Sequence, residues 1–123
     1  MQPTEEHNQK LAKMTFASVY PLYVTKVERK GRTKQELDQV ITWLTSFDQK
    51  KIAEMIKNNV SFENFFAKAK LNENSNLIKG LICGYRVEEI ENPITQKVRY
   101  LDKLVDELAK GKPLDKIFRK PKP

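Results

Sequence analysis

Apolar residues recur along most of this chain at helical spacing. Leu37, Val40, Ile41 and Leu44 fall at intervals that lay one stripe along a helix, with Trp43 beside it. Thr33 stands just ahead of that stripe and Glu36 follows three residues later, the spacing at which a hydroxyl and a carboxylate cap each other's backbone amides. Asp48 repeats the start signal, with Phe47 and Ile52 placed as a hydrophobic staple and Ile52, Met55 and Ile56 as the buried face. Ser61 repeats it again. Val60 and Phe65 form that staple, Glu63 sits where the helix dipole favours an acid, and Phe62, Phe65, Phe66 and Ala69 share a face. Asn92 and Pro93 open the longest pattern, in which Ile94, Val98, Leu101, Val105 and Leu108 make a core stripe up to Lys110, with Gly111 beyond the end.

The remaining segments are weaker in pattern. Met14 to Val27 is rich in β-branched and aromatic residues, and a strand before Pro21 stays open. Proline suits a first helical turn and Gly31 the position after a last one, so the spacing predicts a helix over 21–30. Leu77, Ile78, Leu81 and Ile82 pair at i and i+4, which predicts a short buried helix stopped by Gly84, with Gly80 and Gly84 permitting close packing. Val87 to Ile90 makes one further turn, 70–76 is a polar loop, and Leu114, Ile117 and Phe118 make a last amphipathic turn. Residues 1–13 carry no apolar periodicity and read as a mobile tail. The chain leaves the body from Arg119, with 120–123 as a basic tail. The expectation is an all-α single domain over 14–119, a bundle of about six short helices with one long C-terminal helix, its core formed where the Phe62, Phe65, Phe66 face meets the Ile94 to Leu108 stripe.

Composition narrows the class. A chain of 123 residues, 39% hydrophobic and 32% charged, is long enough to bury a core without metal or disulfide staples. No stretch approaches the ~20 apolar residues that cross a bilayer, and the polar start with Glu5 and Glu6 does not read as a secretory signal. Cys83 is the sole cysteine, which excludes an internal disulfide and cysteine-rich zinc sites and points to a reducing cytoplasm. The net charge of +7 is uneven: residues 26–34 hold +4, residues 110–122 hold +5, and everything else sums to −2. If the two basic segments lie together, Arg29, Lys30 and Arg32 belong to a patch that attracts phosphate; otherwise they are a solvated face.

Candidate chemistry is sparse. His7 is the sole histidine and falls in the segment read as a tail, which fixes neither tautomer nor geometry. Cys83, near the end of the expected apolar helix, has no neighbouring base and reads as a small core residue. The best constellation is Glu88, Arg99, Tyr100 and Asp102 beside the 84–92 turn. Asp102 and Asp106 share a helix face and Arg99 is spaced to bridge them, parts that suit acid/base or metal-assisted chemistry. The same residues equally make an ion-pair network that fixes the turn against the long helix. Arg99 neutralises what a metal needs, so no metal and no cofactor are expected. Tyr20, Tyr23, Tyr85 and Tyr100 with the basic loop offer aromatic and cationic groups together, as single-strand nucleic-acid binders require, but no helix carries a base-reading face.

Several short motifs, in order, carry a resemblance. Ser18-Val-Tyr-Pro-Leu-Tyr-Val24, Lys30-Gly-Arg-Thr33, Trp43-Leu-Thr45, Phe62-Glu-Asn-Phe-Phe66, Ile82-Cys-Gly84, Arg86-Val-Glu-Glu-Ile90 and Arg99-Tyr-Leu-Asp-Lys-Leu104 through Gly111 resemble the bacterial domain-of-unknown-function family numbered 2200, over about residues 15–120. The resemblance implies a small, mainly helical bacterial domain and carries no activity. One departure is Ser46-Phe47, where the family carries a glycine followed by an aromatic residue. The functional expectation is a non-enzymatic cytoplasmic binding module acting on a protein partner or nucleic acid, through Arg29, Lys30 and Arg32 in the second case. The alternative is a small enzyme with its site at Glu88, Arg99, Tyr100 and Asp102.

Overall fold

The computed structural model describes residues 2–121. Among the described residues seven α-helices follow one another: α1 (Glu5–Lys13), α2 (Phe16–Glu28), α3 (Lys34–Thr45), α4 (Gln49–Lys57), α5 (Phe62–Lys68), α6 (Pro93–Ala109) and α7 (Leu114–Ile117). Between α5 and α6 lie 3-10 turns at Ser75–Leu77 and Val87–Glu89, and a two-stranded antiparallel hairpin of β1 (Leu81–Ile82) and β2 (Tyr85–Arg86). The fold is all-α in class, with this hairpin as its small exception.

The capping signals act where the sequence places them. Thr33 and Glu36 form the reciprocal capping box of α3. The side chains of Asp48, Ser61 and Asn92 each accept a backbone amide in the first turn of α4, α5 and α6. α3 ends on Ser46, which adopts φ 66°, the left-handed conformation that glycine takes without strain. The Ser46 hydroxyl donates to the Lys70 carbonyl at 2.7 Å.

The core forms where α5 and the N-terminus of α2 meet α6. Phe65 is fully buried, stacked on Phe16 at 4.4 Å between ring centroids, and meets Phe66 edge-on at 4.9 Å and Phe47 edge-on at 5.1 Å. Val98, Leu101, Leu104, Val105 and Leu108 of α6 close the other side, while Ile94 is only half-buried.

Four expectations are corrected. Residues 1–13 contain α1, which packs against α5 and α6. Thr4 caps it by accepting the His7 amide, Leu11 is buried, and the Asn8 carboxamide oxygen accepts the Thr95 hydroxyl at 2.6 Å in the interior. A helix anchored by buried polar groups leaves little apolar periodicity to read. Second, α2 begins at Phe16 rather than Pro21, because Thr15 caps it by accepting the Ser18 amide; Pro21 then falls inside the helix and forgoes one backbone bond. Third, 77–84 does not form a helix. Cys83 (φ 51°) and Gly84 (φ 83°) supply the two left-handed residues of a tight hairpin turn, Gly80 precedes β1, and Leu81 is 62% exposed. So short a helix, with Gly80 in its middle, gains too few bonds to offset nucleation. Cys83 is accordingly exposed at the turn rather than buried in the core. Fourth, Arg119 turns back onto the body. Its guanidinium meets both carboxylate oxygens of the buried Glu107, at 2.6 and 2.7 Å, and donates to the Ile117 carbonyl. Of the expected tail, Lys122 and Pro123 lie outside the described residues.

Two carboxylates tie stability to pH. The Arg32 hydrogen bonds hold the Glu36 carboxyl below its ordinary range. For Asp106, burial works the other way, but the hydrogen bonds from Lys110 and Lys26 outweigh it and the carboxyl is again lowered. Groups lowered on folding stabilise above their unfolded pKa of about 4, and that stability is lost as the pH falls through the folded value. Melting temperature followed from about pH 7 to about pH 2.5 should therefore drop less for the Glu36→Gln, Asp106→Asn double variant than for the unaltered chain. Parallel curves for the two proteins would contradict this assignment.

Candidate functional site

The acidic and arginine constellation divides into two groups. Arg99 and Asp102, three residues apart on α6, form an ion pair at 2.7 Å with side chains 12% and 17% exposed. The Tyr23 hydroxyl of α2 donates to the other Asp102 oxygen at 2.5 Å. Burial, followed by the Asp102 charge, pushes the Tyr23 phenol well above its ordinary pKa, so it stays a donor. Arg99 also reaches Cys83 Sγ at 3.4 Å and His7 Nε2 at 3.1 Å. A guanidinium has no acceptor, so the histidine nitrogen accepts there. The Arg99–Asp102 pair thus joins α1, α2, α6 and the hairpin turn. Burial opposes its charge, yet the Asp102 bond and charge raise its pKa further.

Glu88 and Tyr100 take different partners. Glu88 is exposed, accepts the Gly80 amide at 3.0 Å and lies 4.0 Å from Arg86. That backbone bond lowers its carboxyl pKa. Tyr100 is buried, and burial followed by the Glu88 charge raises its phenol. Among the described residues no hydrogen bond or ion pair links Glu88 or Tyr100 to Arg99 or Asp102. Asp106 stands apart from Arg99 as well, paired with Lys26 at 3.3 Å and Lys110 at 3.0 Å. Among the described residues there is also no group of three His, Cys, Asp or Glu side chains placed to hold a metal ion.

Among the described residues the 26–34 segment meets the chain at the end of α6 around Lys110 and Lys112, and much of the charge there is spent inside the molecule. Arg32 Nη1 donates to the Leu108 and Lys112 carbonyls at 3.1 and 2.9 Å, closing the C-terminus of α6, while its other nitrogens hold Glu36. Lys26 and Lys110 share Asp106, Lys112 and Arg119 share Glu107, and Lys34 pairs with Asp38. Arg29 and Lys30 are exposed and carry no ion pair among the described residues. The three cations singled out for phosphate therefore separate into two free side chains and one internal clamp.

A surface trough crosses α3. One stretch of about 390 Å³ is lined by Asp38, Gln39, Thr42, Trp43, Gln49, Leu114 and Phe118. A second, of about 530 Å³, continues past Tyr20, Lys34, Gln35, Ile52, Ala53 and Ile56, and shares Asp38 and Gln49 with the first. Trp43 of α3 and Phe118, the residue after α7, stack at 6.0 Å and 12°, both half-buried. Asp38 lies at the junction of the two stretches. Its Oδ1 accepts the Tyr20 hydroxyl at 2.6 Å and its Oδ2 accepts Lys34 Nζ at 3.3 Å. Gln35, Gln39 and Gln49 are exposed, and their carboxamides make no side-chain hydrogen bond among the described residues. The sequence pattern marks Trp43 only as a neighbour of the α3 stripe. Its partner Phe118 is far along the chain, and an aspartate inside an apolar stripe was the one local signal of the trough.

The comparisons with known proteins agree with one another. The family described as "Uncharacterized protein conserved in bacteria (DUF2200)" matches residues 10–119. A crystal structure titled as that of uncharacterized protein SP1917 is similar with a TM-score of 0.83 and 42% sequence identity, over 89% of this chain and 90% of that one. No curated protein matches the chain.

Proposed function

The chain belongs to the DUF2200 family of proteins conserved in bacteria, and from that premise we propose that it is a docking module, taking a peptide segment of a protein partner along the trough across α3. The observation that supports this reading is the stack of the sole tryptophan, Trp43, on Phe118 in the trough wall. Tryptophan half-exposed in a groove is the residue type that most often carries the energy of a protein interface. The free carboxamides of Gln35, Gln39 and Gln49 supply donors and acceptors that match the amide groups of an extended chain.

The other readings have less behind them. A nucleic-acid surface retains Arg29 and Lys30, but Arg32 and Arg119 are engaged in internal bonds. An acid/base site needs Glu88, Arg99, Tyr100 and Asp102 to share reacting atoms, and their partners differ. No helix among the described residues is long and apolar enough to cross a membrane. The compartment we propose is the cytoplasm, in keeping with a single free cysteine.

Selection of peptides from a random display library tests the docking reading. Recovered peptides should carry aromatic or aliphatic anchors, and the Trp43→Ala variant, which loses its stack on Phe118 and melts somewhat lower but still cooperatively, should bind them at least about tenfold more weakly. Failure to recover any Trp43-dependent peptide contradicts it. Binding to single-stranded nucleic acid that falls steeply with salt, is indifferent to Trp43 and is lost when Arg29 and Lys30 are neutralised would move the function to the basic surface.

A further inference from the structure

The trough places a carboxylate where a docked chain would lie, and its present partner is a weak one. The Asp38 side chain is 7% exposed and lies at the junction of the two stretches. Tyr20, buried beneath it, fixes Oδ1 with a hydroxyl bond at 2.6 Å. Burial, followed by that bond, pushes the Tyr20 phenol up to about 12, so it remains a donor and leaves Oδ2 to be neutralised by something else. Lys34 does this now. It reaches Oδ2 at 3.3 Å from one turn earlier on α3, with its side chain 57% exposed. Its ammonium also lies over the Tyr20 ring, 5.6 Å from the centroid. An exposed lysine held by one long bond and one solvent-exposed aromatic contact gains little from either, since water solvates its ammonium almost as well.

We propose that the peptide segment taken by this trough carries a lysine or arginine, flanked by apolar residues, whose cation displaces Lys34 from Asp38. The proposal rests on the docking reading and deepens it by naming the chemistry of the segment. Charge complementarity is the argument. Apolar side chains stand on either side of Asp38, Ala53 and Ile56 along one stretch and Trp43 and Phe118 along the other. A docked chain covers Asp38, excludes water and strengthens whichever ion pair is made there. Lys34 keeps its own solvation when released, because it lies at the rim. Arginine offers a further advantage, since its fork meets carboxylate and aromatic faces together.

The test uses the full chain and peptides recovered by display selection, each synthesised with its basic residue and with norleucine in that place. On the unaltered chain the norleucine peptide should bind about tenfold more weakly, the loss expected for a hydrogen bond to a charged group. In the Asp38→Asn variant the two peptides should bind alike. The Lys34→Met variant changes an exposed side chain, and its melting curve, recorded alongside, shows whether Asp38 tolerates the loss of its cation. Removing this competitor should tighten the basic peptide a few-fold and leave the norleucine peptide unchanged. Equal binding of both peptides to the unaltered chain overturns the proposal. So does weaker binding of the basic peptide to Lys34→Met. Trp43-dependent peptides with no enrichment in lysine or arginine overturn this inference while leaving the docking reading intact. Recovery of no Trp43-dependent peptide removes the docking reading, and this inference with it.

Discussion

Phe65→Ala is expected to destabilise the fold by about 3–5 kcal/mol, measured by urea unfolding. Phe65 has no exposed surface and touches Phe16, Phe47, Phe62 and Phe66. Removing its ring takes away both its transfer free energy and the contacts of its neighbours. The cavity lies where two helix starts converge. Phe16 opens α2, Phe62 opens α5, and backbone bonds from Phe16 to Val60 and from Phe62 to Met14 lock the two junctions together. Such a junction has little freedom to collapse, which favours the upper part of the range. A domain of this size is stable by roughly 5–15 kcal/mol in total, so the variant should be only marginally folded at 37 °C. A loss below about 1 kcal/mol would mean that the ring is not at the centre of the core.

The second large effect is expected at the far end of the chain. Arg119→Ala should cost about 2–4 kcal/mol, because Glu107 is then left buried with Lys112 as its remaining cation, at 3.6 Å. The range sits below that for a fully buried pair because Lys112 partly compensates. Removing both charges together, as Glu107→Leu with Arg119→Met, should recover most of the loss, since the penalty lies in an uncompensated carboxylate more than in an absent attraction. If the double variant is no more stable than Arg119→Ala, the pair is not the source of the effect. If Arg119→Ala melts like the unaltered chain, Arg119 does leave the body as the sequence pattern predicts.

That contrast locates what sequence can and cannot supply. Local signals were enough for α3 to α6. A cap such as Thr33 with Glu36, or Asn92 before Pro93, involves residues three apart and is decided by backbone chemistry alone. The hairpin was hidden for an equally local reason. Ile78 and Ile82 imitate a helical pair, and the competing signal, two left-handed residues at Cys83 and Gly84, begins with a residue type that seldom adopts that conformation. α1 was hidden because it is held by Asn8 on Thr95 and by His7 on Arg99, polar partners 87 and 92 residues away.

The site follows the same division. Arg99 and Asp102 were legible as a pair from their spacing on one helix. Tyr23, which completes the Asp102 carboxylate, comes from a helix 79 residues earlier and left no trace in the pattern. The basic patch misled in the opposite direction. Charge counted along the sequence does not reveal that Arg32 spends its donors on the carbonyls of Leu108 and Lys112. The trough needed Trp43 and Phe118 to meet, and only the packing of α7 against α3 brings them together.

Trp43 also provides the most direct test of the docking reading, because it is the sole tryptophan and every indole photon reports on the trough. Titrating the chain with a selected peptide lacking tryptophan, while recording emission and heat in parallel, compares occupancy of the trough with total binding. The expected result is a saturable blue shift, as water leaves the indole, with the same midpoint as the heat. Binding seen by heat with Trp43 emission unchanged would place the partner elsewhere on the molecule and contradict the account.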